Sequence, residues 1–288
     1  MNKLTLTIPW FKEKESYLKK SSNHHAFIFE GPRGIGKIAF IHEIAKGFLC
    51  KESPNIQYCN KCKSCHLYNE SNHPDFYAIS LEEGKKQISI NQIKNLQESI
   101  YESSFLGSNK VFLVSPLEKL NKEAFNSFLK NLEEPPLGSI FLLITNRPQE
   151  IPLTIRSRCL SIQMEKPKED LIKDWLNKNF DGINNLDLVL KLSKGKPIIA
   201  SDMIHIKIEE IRNEFFNEMA EFLKTGSNLI EISEKWPKDK SVMLIKLEWM
   251  SDLIMDCLRY RFLPQSDKTL DDTSEMCVYL SNRVSSDD

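Results

Sequence analysis

The octapeptide GPRGIGKI, residues 31–38, places Gly31, Gly34, Gly36 and Lys37 in the GxxxxGK spacing of a phosphate-cradling loop. The chemistry of that spacing is anion binding: glycines let backbone N–H groups converge on phosphate oxygens at a helix N-terminus, and the lysine adds a point charge. The next position should carry a hydroxyl to ligate Mg²⁺, but it is Ile38. A hydrolytic site also needs an Asp for the metal and a Glu to orient the attacking water, near the end of a later strand. Ser115 and Pro116 stand there, and Glu118 is too far along to be a simple substitute. Hydrolysis is not expected and no competent Mg²⁺ site is predicted. ATP binding stays open between a residual phosphate loop and a plain strand-to-helix turn.

A second group points to metal. Cys50, Cys59, Cys62 and Cys65 form C-x8-C-x2-C-x2-C, whereas Cys159, Cys257 and Cys277 are scattered. Three cysteines at intervals of three are too close to pair comfortably with one another, and four thiolates close a tetrahedral Zn²⁺ site with no position left for water. The expected role is structural, with Lys51, Lys61 and Lys63 partly offsetting the charge of a tetrathiolate site. His66 and His73 are possible replacements for one ligand, although a histidine beside a turn such as NHPDF is more often a polar loop residue.

The elements that must position these groups follow from periodicity. Short apolar runs at 26–29, 76–80, 111–115 and 140–145 read as strands, and 39–49, 90–100 and 122–132 carry helical spacing. Strands alternating with helices predict βαβ units and a mostly parallel sheet covered on both faces. After SRCLSIQMEKPKED the strand-like runs stop. Residues 165–204 read as short helices, a helix is expected from Ile204 onward on the spacing 204, 208, 211, 215, 219 and 222, and another over 242–260 is apolar around much of its circumference. The last residues, RVSSDD, are expected to fray. With 39 basic and 40 acidic residues the net charge is −1, so no chain-wide positive excess argues for autonomous, non-specific nucleic-acid binding. No apolar segment approaches the roughly 20 residues of a membrane helix, and the N-terminus lacks an apolar core of secretory length. A cytoplasmic protein without membrane contact is expected.

Taken in order, GPRGIGK, the cysteine cluster, HPDF, NSFLKNLEEPP and TNRPQEIPLTIRSRC resemble the AAA+ clamp-loader subunits of bacterial DNA polymerase III over roughly residues 5–200. The resemblance implies an AAA+ P-loop domain at 1–162 with a zinc module at 50–65, a small helical lid at 163–204, and an all-α collar domain at 205–288. Because Ile38, Ser115 and Pro116 depart from the motor pattern, the chain is similar to the non-hydrolysing, delta-prime type rather than to an active gamma/tau-type ATPase. The implied partners are the motor (gamma/tau) and delta subunits, the sliding clamp and primed DNA. The implied setting is a non-catalytic role in a DNA-directed DNA polymerase holoenzyme. Ser157, Arg158 and Cys159 match the family's SRC motif, which makes Arg158 an arginine finger acting in trans, with Arg156 its nearest competitor. Thr145 and Asn146 lie where a sensor residue would be, and no arginine follows Pro197 in GKPIIA. Glu133 and Glu134 end a helix whose dipole disfavours acids, a local conflict that points to a tertiary role without naming it.

Overall fold

The computed structural model describes residues 8–21, 24–52, 56–107, 109–225, 240–262 and 274–281. The start of the N-terminal segment (residues 1–7) and the tail expected to fray (283–288) lie outside the described residues. Five parallel strands form one sheet in the order β2-β3-β4-β1-β5: β1 Ala26–Glu30, β2 Phe76–Ser80, β3 Lys110–Ser115, β4 Ser139–Thr145 and β5 Leu160–Gln163. β1, β3 and β4 are buried along nearly their whole length, which is why they read as unbroken apolar runs. α1 Lys12–Lys20 precedes β1, and the crossovers are helical, with α2 Lys37–Leu49, α3 Lys63–Asn69, α4 Ile90–Tyr101, α5 Lys122–Glu133 and α6 Leu153–Arg156. Local chemistry fixes their ends. Ser89 N–H donates to the Gln92 side chain at 3.0 Å at the start of α4, Asn121 Oδ1 accepts from Ala124 N–H at 2.8 Å at the start of α5, and Pro135 and Pro136 bar any continuation of α5.

The strand order is what builds the site. In register, Glu30 lies beside Thr145 and Gln163, and Ser80 beside Ser115. The carboxyl ends of β1, β3 and β4 therefore meet along one edge of the sheet, the usual position for a site in an open α/β sheet. A core of Ile28, Phe112, Phe128, Phe141, Ile93 and Ile155, among others, packs α4, α5 and α6 against the sheet.

Contacts divide the chain into two units, Met1–Asp181 with Gly195–Ile199, and Gly182–Lys194 with Ala200–Asp288. The first contains the sheet and α7 Glu169–Asn179. The second contains α8 Leu186–Leu192, α10 Ile208–Thr225, α11 Lys240–Phe262 and α12 Ser274–Ser281. In it Phe215 and Trp249 pack with ring centroids 5.6 Å apart, and the buried Arg212 guanidinium lies 5.0 Å from the Trp249 ring. The helix expected from Ile204 starts at Ile208. α9 Pro197–His205 ends before Lys207, whose φ of 54° lies in the left-handed region, and α10 starts at Ile208. Two residues, Ile206 and Lys207, separate the helices, and the apolar spacing of four from Ile204 to Ile208 runs across them.

Candidate functional site

The loop between β1 and α2 takes the shape its glycines permit. A Cβ on Gly31 would sit 2.0 Å from the Met164 carbonyl oxygen, and Gly34 and Gly36 have φ of 88° and 93°. Lys37 opens α2 with its side chain buried. Its ammonium donates to the carbonyls of Gly31 (2.7 Å) and Pro32 (2.6 Å) and to Asn146 Oδ1 (3.0 Å). Three protons meet three acceptors of this chain. Burial pulls the Lys37 pKa down to about 8, against a smaller opposing pull from the Glu118 carboxylate.

Apolar groups crowd the loop from outside. Ile8 and Ile199 carbons lie 3.0 Å and 2.9 Å from where Cβ atoms on Gly36 and Gly34 would be, Trp10 Nε1 donates to Ile35 O at 3.0 Å, and Ile198 N–H donates to Gly34 O at 3.0 Å. GKPIIA thus closes onto the loop. The Ile38 side chain is exposed and has no oxygen to offer a cation.

Glu118, set aside on sequence grounds, reaches the site after all. Its carboxylate accepts from Thr145 Oγ1 at 2.9 Å, from Asn146 Nδ2 at 3.0 Å and from Asn146 N–H at 3.3 Å. Burial alone would raise its pKa, but donors from its own backbone, Asn146 and Thr145 outweigh that and hold it below the ordinary carboxylate range. Asn146 therefore links Lys37 to Glu118. The polar side chains at the loop are bonded to one another, and position 38 offers no hydroxyl and positions 115 and 116 no carboxylate for a Mg²⁺ shell. These residues do not fit Mg²⁺–ATP in a hydrolytic pose.

The SRC segment follows α6. Ser157 Oγ donates to Thr154 O at 3.2 Å, and Arg158 Nη1 donates to Thr154 O at 2.8 Å and to Ser157 Oγ at 3.3 Å. Arg158 Nη2 pairs with Glu133 Oε1 at 2.6 Å, with both side chains partly exposed. The tertiary role of Glu133 is thereby named. Arg156 turns the other way, its Nε 3.4 Å from Oε1 of Glu30, a carboxylate buried at the end of β1 that also accepts from Gln163. Of the two arginines, Arg158 is tied to the end of α5 and to α6, and Arg156 to the end of β1. Cys159 packs against the core, and burial pushes its thiol up to about 12, so it stays a neutral thiol that anchors the segment.

The four cysteines converge as their spacing requires. Their sulfurs all lie within 4.8 Å of one another, with Cys50–Cys62 at 3.9 Å and Cys59–Cys65 at 4.0 Å. A tetrahedron with Zn–S bonds of about 2.3 Å needs sulfurs about 3.8 Å apart. Backbone N–H groups of Lys61 and Cys62 point at Cys59 Sγ (3.4 and 3.3 Å), and Cys65 N–H points at Cys62 Sγ (3.5 Å), a donor set that suits thiolates. The donor set fits a closed tetrathiolate metal centre.

His66 is exposed, and His73 is not a ligand but a buried strut. Its Nδ1 accepts from Asp75 N–H at 3.1 Å, so Nε2 carries the proton and donates to Ser64 Oγ (2.8 Å), which in turn donates to Leu49 O (2.6 Å). Burial lowers the His73 pKa, with Asp75 opposing. Asp75 also accepts from Phe105 and Leu106 N–H at 2.8 and 3.0 Å. HPDF is thus the knot that ties the cysteine module to β2. A buried histidine cannot be told from a loop histidine by its neighbours in sequence.

The family described as DNA polymerase III, delta subunit, matches residues 10–168, and its C-terminal counterpart matches residues 208–287. A protein of Pseudomonas aeruginosa named DNA polymerase III subunit delta' is 30% identical over 96% of this chain and 84% of its own length. One of the same name from Buchnera aphidicola (subsp. Acyrthosiphon pisum) is 30% identical over 95% of this chain and 82% of its own. A DNA polymerase III subunit tau/gamma of Haemophilus influenzae is 33% identical, but over 55% of this chain and 23% of its own length.

Proposed function

The chain belongs to the DNA polymerase III delta/delta' subunit family, and from that premise we propose a clamp-loader subunit of delta-prime type that hydrolyses no ATP itself and lends Arg158 to a neighbouring motor subunit. The observation that carries this reading is an asymmetry. At the phosphate loop the Lys37 ammonium is buried with its three protons given to Gly31, Pro32 and Asn146, while at the SRC segment the Arg158 guanidinium, held by Thr154, Ser157 and Glu133, stays partly exposed with N–H donors to spare. A guanidinium keeps its charge at every physiological pH and forks onto phosphate oxygens, so it can stabilise the charge spread over a phosphoryl group in transfer. Leu137, just beyond α5, and Leu153, which opens α6, are both strongly exposed, so the segments bearing Glu133 and Arg158 offer apolar surface to a protein neighbour.

Several further features belong to this proposal. The cysteine cluster holds a structural Zn²⁺, which would tie the end of α2 to α3 and supply no chemistry. Residues 1–162 form the AAA+ domain, 163–204 the lid and 205–288 a collar helix domain that joins the motor and delta subunits. The assembly acts in the cytoplasm, helping to load the sliding clamp onto primed DNA. The test is the complex assembled with Arg158→Ala. Clamp- and DNA-stimulated ATP turnover at the adjoining motor site is expected to fall by on the order of 10³, and a rate equal to wild type would refute the trans role.

The gamma/tau-type reading has one observation in its favour, the acid Glu118 beside Thr145 and Asn146. That carboxylate is already engaged by donors from two residues, which leaves it poorly placed to orient a water. Mg²⁺-dependent ATP turnover by the purified chain, abolished by Lys37→Ala, would establish that reading instead.

A further inference from the structure

We infer that Glu133 is a positioning residue for Arg158, fixing the guanidinium for its work on a neighbouring subunit's nucleotide. The inference rests on the trans role of Arg158 and adds the group that aims it. Glu133 is the last residue of α5, where the partial negative charge of the helix end disfavours a carboxylate. The following Pro135 and Pro136 hold the chain rigidly at that point. A carboxylate so placed needs a cation, and Arg158 Nη2 supplies one at 2.6 Å.

The other terminal nitrogen of the same guanidinium is also held, since Nη1 donates to Thr154 O at 2.8 Å and Ser157 Oγ at 3.3 Å. One planar group is therefore gripped from two sides by two elements, the end of α5 and α6 with its C-cap Ser157. A long, rotamer-rich side chain at a domain edge is thereby limited to one orientation before any neighbour arrives. Because the pair is partly exposed, water and incoming phosphate oxygens can still reach the guanidinium, and its remaining N–H donors suffice for a phosphate contact.

The experiment is steady-state ATP turnover of the full complex, with clamp and primed DNA, for wild type, Glu133→Gln, Arg158→Ala and the double variant. Glutamine keeps the size and one acceptor but removes the charge. It also suits a helix C-terminus better than glutamate does, so the isolated subunit is expected to melt no lower than wild type. Glu133→Gln is expected to reduce the Arg158-dependent part of kcat by about 10-fold, with KM for ATP unchanged, as for a misaligned group that acts on the transition state. In the Arg158→Ala background the same substitution is expected to do nothing further. Turnover unchanged or raised by Glu133→Gln, or an equal loss in both backgrounds, would overturn the positioning role. Turnover indifferent to Arg158→Ala itself would instead remove the trans reading on which it rests.

Discussion

Lys37 occupies the position where a phosphate-binding lysine belongs and behaves as a strut. Its charge is buried, its protons go to two loop carbonyls and Asn146, and its pKa is pulled down to about 8 by burial. A lowered lysine pKa means that the unfolded chain, titrating near 10.5, holds a proton that the folded chain has released between about pH 8 and 10.5. In that window stability rises with pH. Below it both states are protonated and the burial penalty acts in full. Lys37→Met removes the titration, so the stability of wild type relative to Lys37→Met is expected to increase from pH 8 to pH 10.5 by at most about 3 kcal/mol. Urea unfolding of both proteins at the two pH values measures it, and parallel behaviour would show that the ammonium is not desolvated. The residue types of this site are legible in the sequence: no hydroxyl stands at Ile38 and no carboxylate at Ser115 or Pro116. What was not legible is where freed groups go. Nothing in the spacing says that Asn146 would bridge Lys37 to Glu118, because that depends on β3 and β4 lying side by side. Glu133 did leave a trace, an acid where the helix dipole opposes one, but its partner lies 25 residues away in sequence.

At the scale of elements, the cysteine module closes on α2 and α3 together. Cys50 caps the C-terminus of α2, Cys62 caps the N-terminus of α3, and Ser64 and His73 join both to the approach to β2. α3 has only seven residues, too few to persist alone, so metal should decide its order. One equivalent of zinc per chain is expected in protein purified without chelator. Its removal, or Cys62→Ala, is expected to accelerate amide exchange in α3 while leaving β3 and β4 protected. Zinc content near zero, or α3 protection that survives chelation, would count against a structural metal. Elements are legible where burial enforces a pattern: β1 to β4 and helices α2, α4 and α5 lie within a residue or two of their apolar periodicity. Where the sequence is silent the cause is physical. β5 is a four-residue edge strand with Ser161 and Gln163 facing outward, too short for alternation to register. The break at Ile206 and Lys207 falls inside the four-residue step from Ile204 to Ile208, so apolar spacing cannot reveal it.

For the whole molecule, α11 of the second unit carries the information on assembly. Val242, Trp249 and Leu253 are buried on one side of this helix. At 100° per residue, Met243, Leu244, Leu247, Ile254, Met255, Leu258 and Phe262 fall on the other side, and all of them are exposed. A 23-residue helix apolar on two opposite faces is suited to a position between neighbours. One neighbour is its own unit, and the collar role predicts that the other is a helix of a partner subunit. Leu247→Asp with Met255→Asp places two charges on the outer face without touching the packed one. The thermal melting of the isolated chain is therefore expected to stay within a few degrees of wild type, whereas co-elution with the motor and delta subunits on gel filtration is expected to be lost. Arg158→Ala serves as the control: under the proposed trans role it should leave assembly intact and lower turnover at the adjoining motor site. If the double charge substitution assembles normally, the outer face of α11 has another occupant and the collar must be sought on α10 or α12. If it assembles poorly and also melts early, the face belongs to the unit's own core. Separation of the two phenotypes, assembly lost at α11 and turnover lost at Arg158, is what a subunit that contributes by position rather than by its own chemistry must give.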